Sequence, residues 1–70
     1  KQMETYFISF AYTWKQGGTI GQSHGNAIIK YGMILDIEDV EILEGICGAR
    51  VKESMGLDVA IVTIINWKEL

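Results

Sequence analysis

Seventy residues, 49% of them hydrophobic, make one domain (residues 1–70) near the low end of what folds alone, and exclude a disordered chain. One cysteine, Cys47, excludes an internal disulfide, and with one histidine, His24, no Cys/His zinc site can be built within one chain, so no cofactor is expected. A net charge of −3, with Lys1, Lys15, Lys30, Arg50, Lys52 and Lys68 scattered, argues against direct nucleic-acid binding, and no apolar run reaches the roughly 18–20 residues of a membrane span.

The first strand is predicted from about Glu4 to Lys15. Tyr6, Ile8, Phe10, Tyr12 and Trp14 point one way, and Phe7, Ser9, Ala11 and Thr13 the other, so both faces carry apolar groups. Gln16-Gly17-Gly18-Thr19 is a hairpin loop, because glycine accepts the positive φ of such turns. The second strand, from about Ile20 to Tyr31, is more polar. Gly21 and Gly25 within it predict a bulge or bend in an edge strand.

The helix has the clearest local signal. Asp36 is a candidate N-cap with Asp39 at N3, Leu35 is placed to staple onto Val40, and Gly56 supplies the stop, giving a helix from Ile37 to Met55. Acidic residues lead it and Arg50 and Lys52 follow, as the helix dipole favours. The last strand runs from about Leu57 to Trp67 and is apolar on both faces from Val59 to Ile65. The order is therefore β-β-α-β. A right-handed crossover places the third strand beside the first, giving an α+β fold with a three-stranded antiparallel sheet in the order 2-1-3 and one long helix on one face.

One helix covers one face of a small sheet, so the other face must meet something else. Val40, Leu43, Cys47 and Val51 form the helix stripe expected on the sheet; Ile42, Ile46 and Ala49 form a second stripe to one side, for the outer strands or for a partner. Gly45 and Gly48 fall on the polar side with Glu41 and Lys52 and have no evident role. The interface candidates are thus Ile42, Ile46 and Ala49 with one face of strand one, either Tyr6, Ile8, Phe10 and Tyr12 or the smaller alternate set.

No catalytic constellation emerges. Gly21-Gln22-Ser23-His24-Gly25 has the letters of a nucleophile elbow but lies within a strand, and the only histidine is inside the motif. Gly17-Gly18-Thr19-Ile20-Gly21 lacks the Lys-Ser/Thr of a phosphate loop. Cys47 belongs to the core stripe of the helix, away from a role as nucleophile. Trp14, Trp67, Tyr12 and Tyr31 would stack bases only with basic neighbours, which are lacking. Ser23, His24 and Asn26 remain as a candidate small-ligand site at a dimer seam.

Tyr6-Phe7-Ile8-Ser9-Phe10, Gly25-Asn26 followed by Ala27-Ile28-Ile29, Asp36-Ile37-Glu38-Asp39-Val40, and the closing Val62-Thr63-Ile64-Ile65-Asn66-Trp67-Lys68 together resemble small phage and prophage proteins. That resemblance implies a bacterial or phage-infected cytoplasm and an accessory protein that modulates a host factor or blocks a defence system. With Lys1 at the first position, either an initiator Met is missing or Met3 starts the chain. The expected function is non-catalytic: a homo-oligomer, a dimer first, that binds a host protein. The alternatives are a small-ligand or nucleotide-binding oligomer and an acidic nucleic-acid mimic.

Overall fold

The computed structural model describes residues 3–70; Lys1 lies outside them. Strand β1 (Glu4–Gln16) and strand β2 (Thr19–Tyr31) form a hairpin, helix α1 (Ile37–Met55) follows, and strand β3 (Val59–Glu69) closes the chain. The sheet is antiparallel with the order β2-β1-β3, as expected. Gly17 takes φ +58° at the first position of the two-residue loop, a conformation that costs glycine little.

The loop is tied to the far end of the helix. The Gly17 N–H donates to Asp58 Oδ2 at 2.8 Å, Gln16 Nε2 donates to the Gly56 carbonyl at 3.0 Å, and the Asp58 N–H donates to the Lys15 carbonyl at 2.9 Å. Gly56, at φ 66°, ends the helix where expected.

The capping box is present. Asp36 Oδ1 accepts from the Glu38 and Asp39 N–H groups, and Asp39 Oδ2 accepts from those of Asp36 and Leu35. Leu35 stays 74% exposed, so the hydrophobic staple contributes little; Ile34 packs against the core instead.

The helix settles which face of β1 is interior. Tyr6, Ile8, Phe10 and Tyr12 are buried with Leu43, Cys47, Leu57, Val62 and Ile29. The large alternate set therefore makes the core, and the smaller set faces outward. Burial decides between them: rings and branched chains fill the roughly 10 Å gap between sheet and helix, which Ser9, Ala11 and Thr13 cannot fill.

Two local expectations are corrected. The β1–β2 register runs without a shift from Glu4↔Tyr31 to Gln16↔Thr19, so Gly21 and Gly25 make no bulge. They make room for rings instead. A Cβ on Gly21 would run into the Trp14 ring and one on Gly25 would stand 3.0 Å from the Phe10 ring, so the aromatics of β1 lean across a bare stretch of β2. The bulge lies in the other pairing, where Ser9 pairs with Asn66 and Phe10 with Ile64, leaving Ile65 unpaired. Gly48, read as polar-side, is buried. A Cβ there would meet the Ala60 carbonyl oxygen at 3.2 Å, so this glycine lets α1 approach β3 closely.

Candidate interaction surface

Alternation and register collect the outward side chains of all three strands on one open face. From β1 come Phe7, Ser9, Ala11, Thr13 and Lys15; opposite them on β2 stand Ile28, Asn26, His24, Gln22 and Ile20. On β3 the partners are Lys68, Asn66, Thr63, Ile61 and Val59, with Ile65 at the bulge. Five large apolar groups at register positions of this face are left in water: Phe7 (38% exposed), Ile20 (69%), Ile28 (59%), Val59 (42%) and Ile61 (65%).

The charges on this face have one sign. Lys15 stands at the hairpin end, and Lys30 and Lys68 at the opposite end beside Thr5 and Phe7. None of the nine carboxylates joins them. Glu4 and Glu69 occupy helix-side register positions, and the other seven lie on the helix or its flanking loops. A chain with a net charge of −3 thus presents a positively charged face. Its lysines, scattered in sequence, are gathered by the pairing.

A shallow depression of about 190 Å³ lies on the same face, lined by Ala11, Tyr12, Thr13, Gln22, Ser23, His24, Ile61 and Thr63. Of the candidate ligand site, His24 and Asn26 are on this face, whereas Ser23 pairs with Tyr12 and alternates to the helix side. Ser23 and His24 both border the depression, and Asn26 does not.

The remaining candidates divide. Tyr6, Ile8, Phe10 and Tyr12, one of the two sets weighed as a partner surface, are core residues and reach no partner. In the second helix stripe, Ile46 packs against the core while Ile42 (48%) and Ala49 stay exposed. His24 and Cys47 are separated by the sheet and form no nucleophile–base pair. Burial pushes the Cys47 thiol up from its usual range, which keeps it unreactive. The G-x-S-x-G letters fall wholly inside β2, with no strand-to-helix turn. Tyr12, Trp14, Tyr31 and Trp67 all take helix-side register positions, so Phe7 is the one aromatic of the open face among the described residues. A base-stacking platform is therefore not formed. Among the described residues no cluster of three or more His, Cys, Asp or Glu is placed to hold a metal, and no helix is long and apolar enough to cross a membrane.

The electrostatics of the helix start are structural. Tyr31 Oη donates to Asp39 Oδ1 at 2.7 Å. That bond to a carboxylate pushes the Tyr31 hydroxyl up to about 12 and, with the backbone N–H groups of Leu35 and Asp36, holds the Asp39 carboxyl below its usual range. Tyr6 Oη accepts from the Ile34 N–H at 3.2 Å, fastening the β2–α1 loop to the sheet.

The two sheet edges differ. The Asp58 and Leu70 N–H groups donate to the carbonyls of Lys15 and Thr5, so the odd residues of β1 direct their backbone groups to β3 and the even ones to β2. The outward backbone groups of β3 then belong to Ala60, Val62, Ile64, Trp67 and Glu69, and those of β2 to Ile20, Gln22, His24, Asn26, Ile28 and Lys30. The helix covers the middle of the β3 edge: Glu44 Oε2 accepts from the Ile64 N–H at 2.9 Å, and Gly48 sits against the Ala60 carbonyl. On the β2 edge a single side-chain bond stands, from Arg50 Nη1 to the Ile28 carbonyl at 3.4 Å. Comparison with protein families, with curated proteins and with solved structures gives no match.

Proposed function

We propose that the chain is a non-catalytic interaction protein that self-associates and binds another protein through the open sheet face. The observation that carries this reading is the single-sign face itself: five exposed apolar side chains flanked by Lys15, Lys30 and Lys68 with no carboxylate among them. Such a patch fits a partner surface that is apolar at its centre and acidic at its rim. The resemblance to phage and prophage accessory proteins supports a host protein as that partner, with a component of a defence system as one class and the bacterial cytoplasm as the place.

A small-ligand reading has one observation in its favour, the depression beside His24 and Gln22. At about 190 Å³ it falls short of the roughly 300–1,000 Å³ of most ligand sites. It suits a recognition pocket for one partner side chain better than a nucleotide. A nucleotide panel in a thermal-shift assay separates the two, since a ligand at 100 times its Kd stabilises by about 2.7 kcal/mol.

The test of the main reading is a pair of baits, the wild-type chain and Phe7→Glu/Ile61→Glu, presented to a bacterial lysate. Both substitutions lie on the open face, so the fold is expected to persist by circular dichroism. A protein retained by the wild-type bait and lost from the variant supports the reading. Equal retention by both baits, or none by either, contradicts it.

A further inference from the structure

The geometry points to self-association through the outer edge of β2, which pairs antiparallel with the same edge of a second copy to form one continuous six-stranded sheet. This rests on the self-association reading above and names its surface.

The edge lacks the features by which sheets protect themselves. Thr19–Tyr31 contains no proline, no bulge, and no charged residue before Lys30. The N–H and C=O groups of Ile20, Gln22, His24 and Asn26 point away from β1 and meet no protein group among the described residues. The helix is drawn toward β3 by Gly48, which leaves the β2 side unobstructed apart from Arg50. The opposite edge, by contrast, is occupied by Glu44 and bent by a bulge.

The edge is also complementary to itself. A two-fold axis at His24 sets Ile20 opposite Ile28 of the second copy, Gln22 opposite Asn26, and His24 opposite its equivalent. The alternate residues of an antiparallel pair share a face, so the exposed isoleucines at 69% and 59% meet on the open side. Sliding the register by one step either way about this axis sets Ile20 opposite Asn26 or Lys30 and breaks the isoleucine pairs. The five outward residues from Ile20 to Ile28 make five narrow pairs of two bonds each, about ten backbone hydrogen bonds, with the Ile28 carbonyl exchanging Arg50 for the Ile20 N–H.

Pairing has a consequence for binding. One open face of three strands of up to 13 residues measures about 40 × 14 Å, roughly 560 Å², below the ~800 Å² per partner of a standard interface. Two faces joined edge to edge reach roughly 1,100 Å². The dimer thus turns an undersized patch into a surface of ordinary interface size, with both helices on the reverse side.

The test uses the whole chain. In His24→Cys the two introduced thiols face each other across the axis at a Cα separation of about 5.5 Å, within disulfide range, while native Cys47 stays buried. Mild oxidation is expected to give a covalent dimer for His24→Cys and none for Ala11→Cys, which lies at the centre of the open face. Gln22→Pro removes an outward N–H without touching the β1 ladder and is expected to weaken the dimer at least ~10-fold by light scattering across a dilution series. A dimer cross-linked by Ala11→Cys and not by His24→Cys overturns the edge inference and leaves self-association standing. A wild-type chain that stays monomeric at every concentration overturns both.

Discussion

Strand β1 shows two fates for neighbouring residues. Its even positions, Tyr6 to Tyr12, are sealed under the helix, while Phe7, Ala11 and Thr13 beside them remain in contact with water. The edges repeat the contrast more weakly, with the middle of β3 covered by Glu44 and Gly48 and β2 met only by Arg50. A single helix closes one face and covers the middle of one edge; the other face and the other edge are left open to water. Stability and binding should therefore respond to different residues.

The largest effect expected is on the closed face. Ile8→Ala and Leu43→Ala, both at 0% exposure, should each cost about 2–5 kcal/mol in denaturant unfolding. Ile61→Ser on the open face should cost under about 1 kcal/mol. Comparable losses from the two would erase the distinction between the faces.

The edges and caps come next. Asp36→Ala removes the acceptor for two helix N–H groups and should cost about 1 kcal/mol. Glu44→Ala leaves the Ile64 N–H without its acceptor, at about 1 kcal/mol, whereas Arg50→Ala on the bare edge should leave stability unchanged to within about 0.5 kcal/mol.

A smaller effect separates the two helix glycines. Gly45→Ala meets nothing within 4 Å and should stabilise by up to about 1 kcal/mol. Gly48→Ala should lose that gain because the new methyl presses on the Ala60 backbone. Equal stabilisation at both sites would show that the close approach to β3 is not needed.

The smallest effect is in pH dependence. Tyr31 has its hydroxyl raised to about 12 in the fold, above its unfolded value of about 10, so its contribution is complete below pH ~10 and is lost as pH rises through 12. Asp39 is lowered, so its contribution is present above pH ~4 and is lost as acid protonates it. In an absorbance titration Asp39→Asn should bring one tyrosine down towards pH 10. An unchanged curve would remove the Tyr31–Asp39 bond from the account.

Much of this architecture was readable from letters. Asp36, Asp39 and Gly56 bound the helix because capping is local chemistry, and the strand order followed from handedness. The interior face of β1 was not readable, since both alternate sets contain apolar residues and only the helix decides between them. The β3 bulge was hidden for a similar reason: Ile64-Ile65 is apolar in either register. Gly48 was misread because the helix leans toward β3 and so buries a position well off its main stripe. The lysine face had a signal that went unused. A two-residue loop pairs Gln16 with Thr19, and counting back from it sets Lys30 opposite Thr5.

The most direct measurement is residue-resolved amide exchange along β2 and β3 at high and low protein concentration. With this edge paired, the outward N–H groups of Gln22, His24 and Asn26 are protected at high concentration and exchange freely on dilution, while that of Ile64 is protected at both. Free exchange of the three β2 amides at every concentration would contradict pairing of this edge.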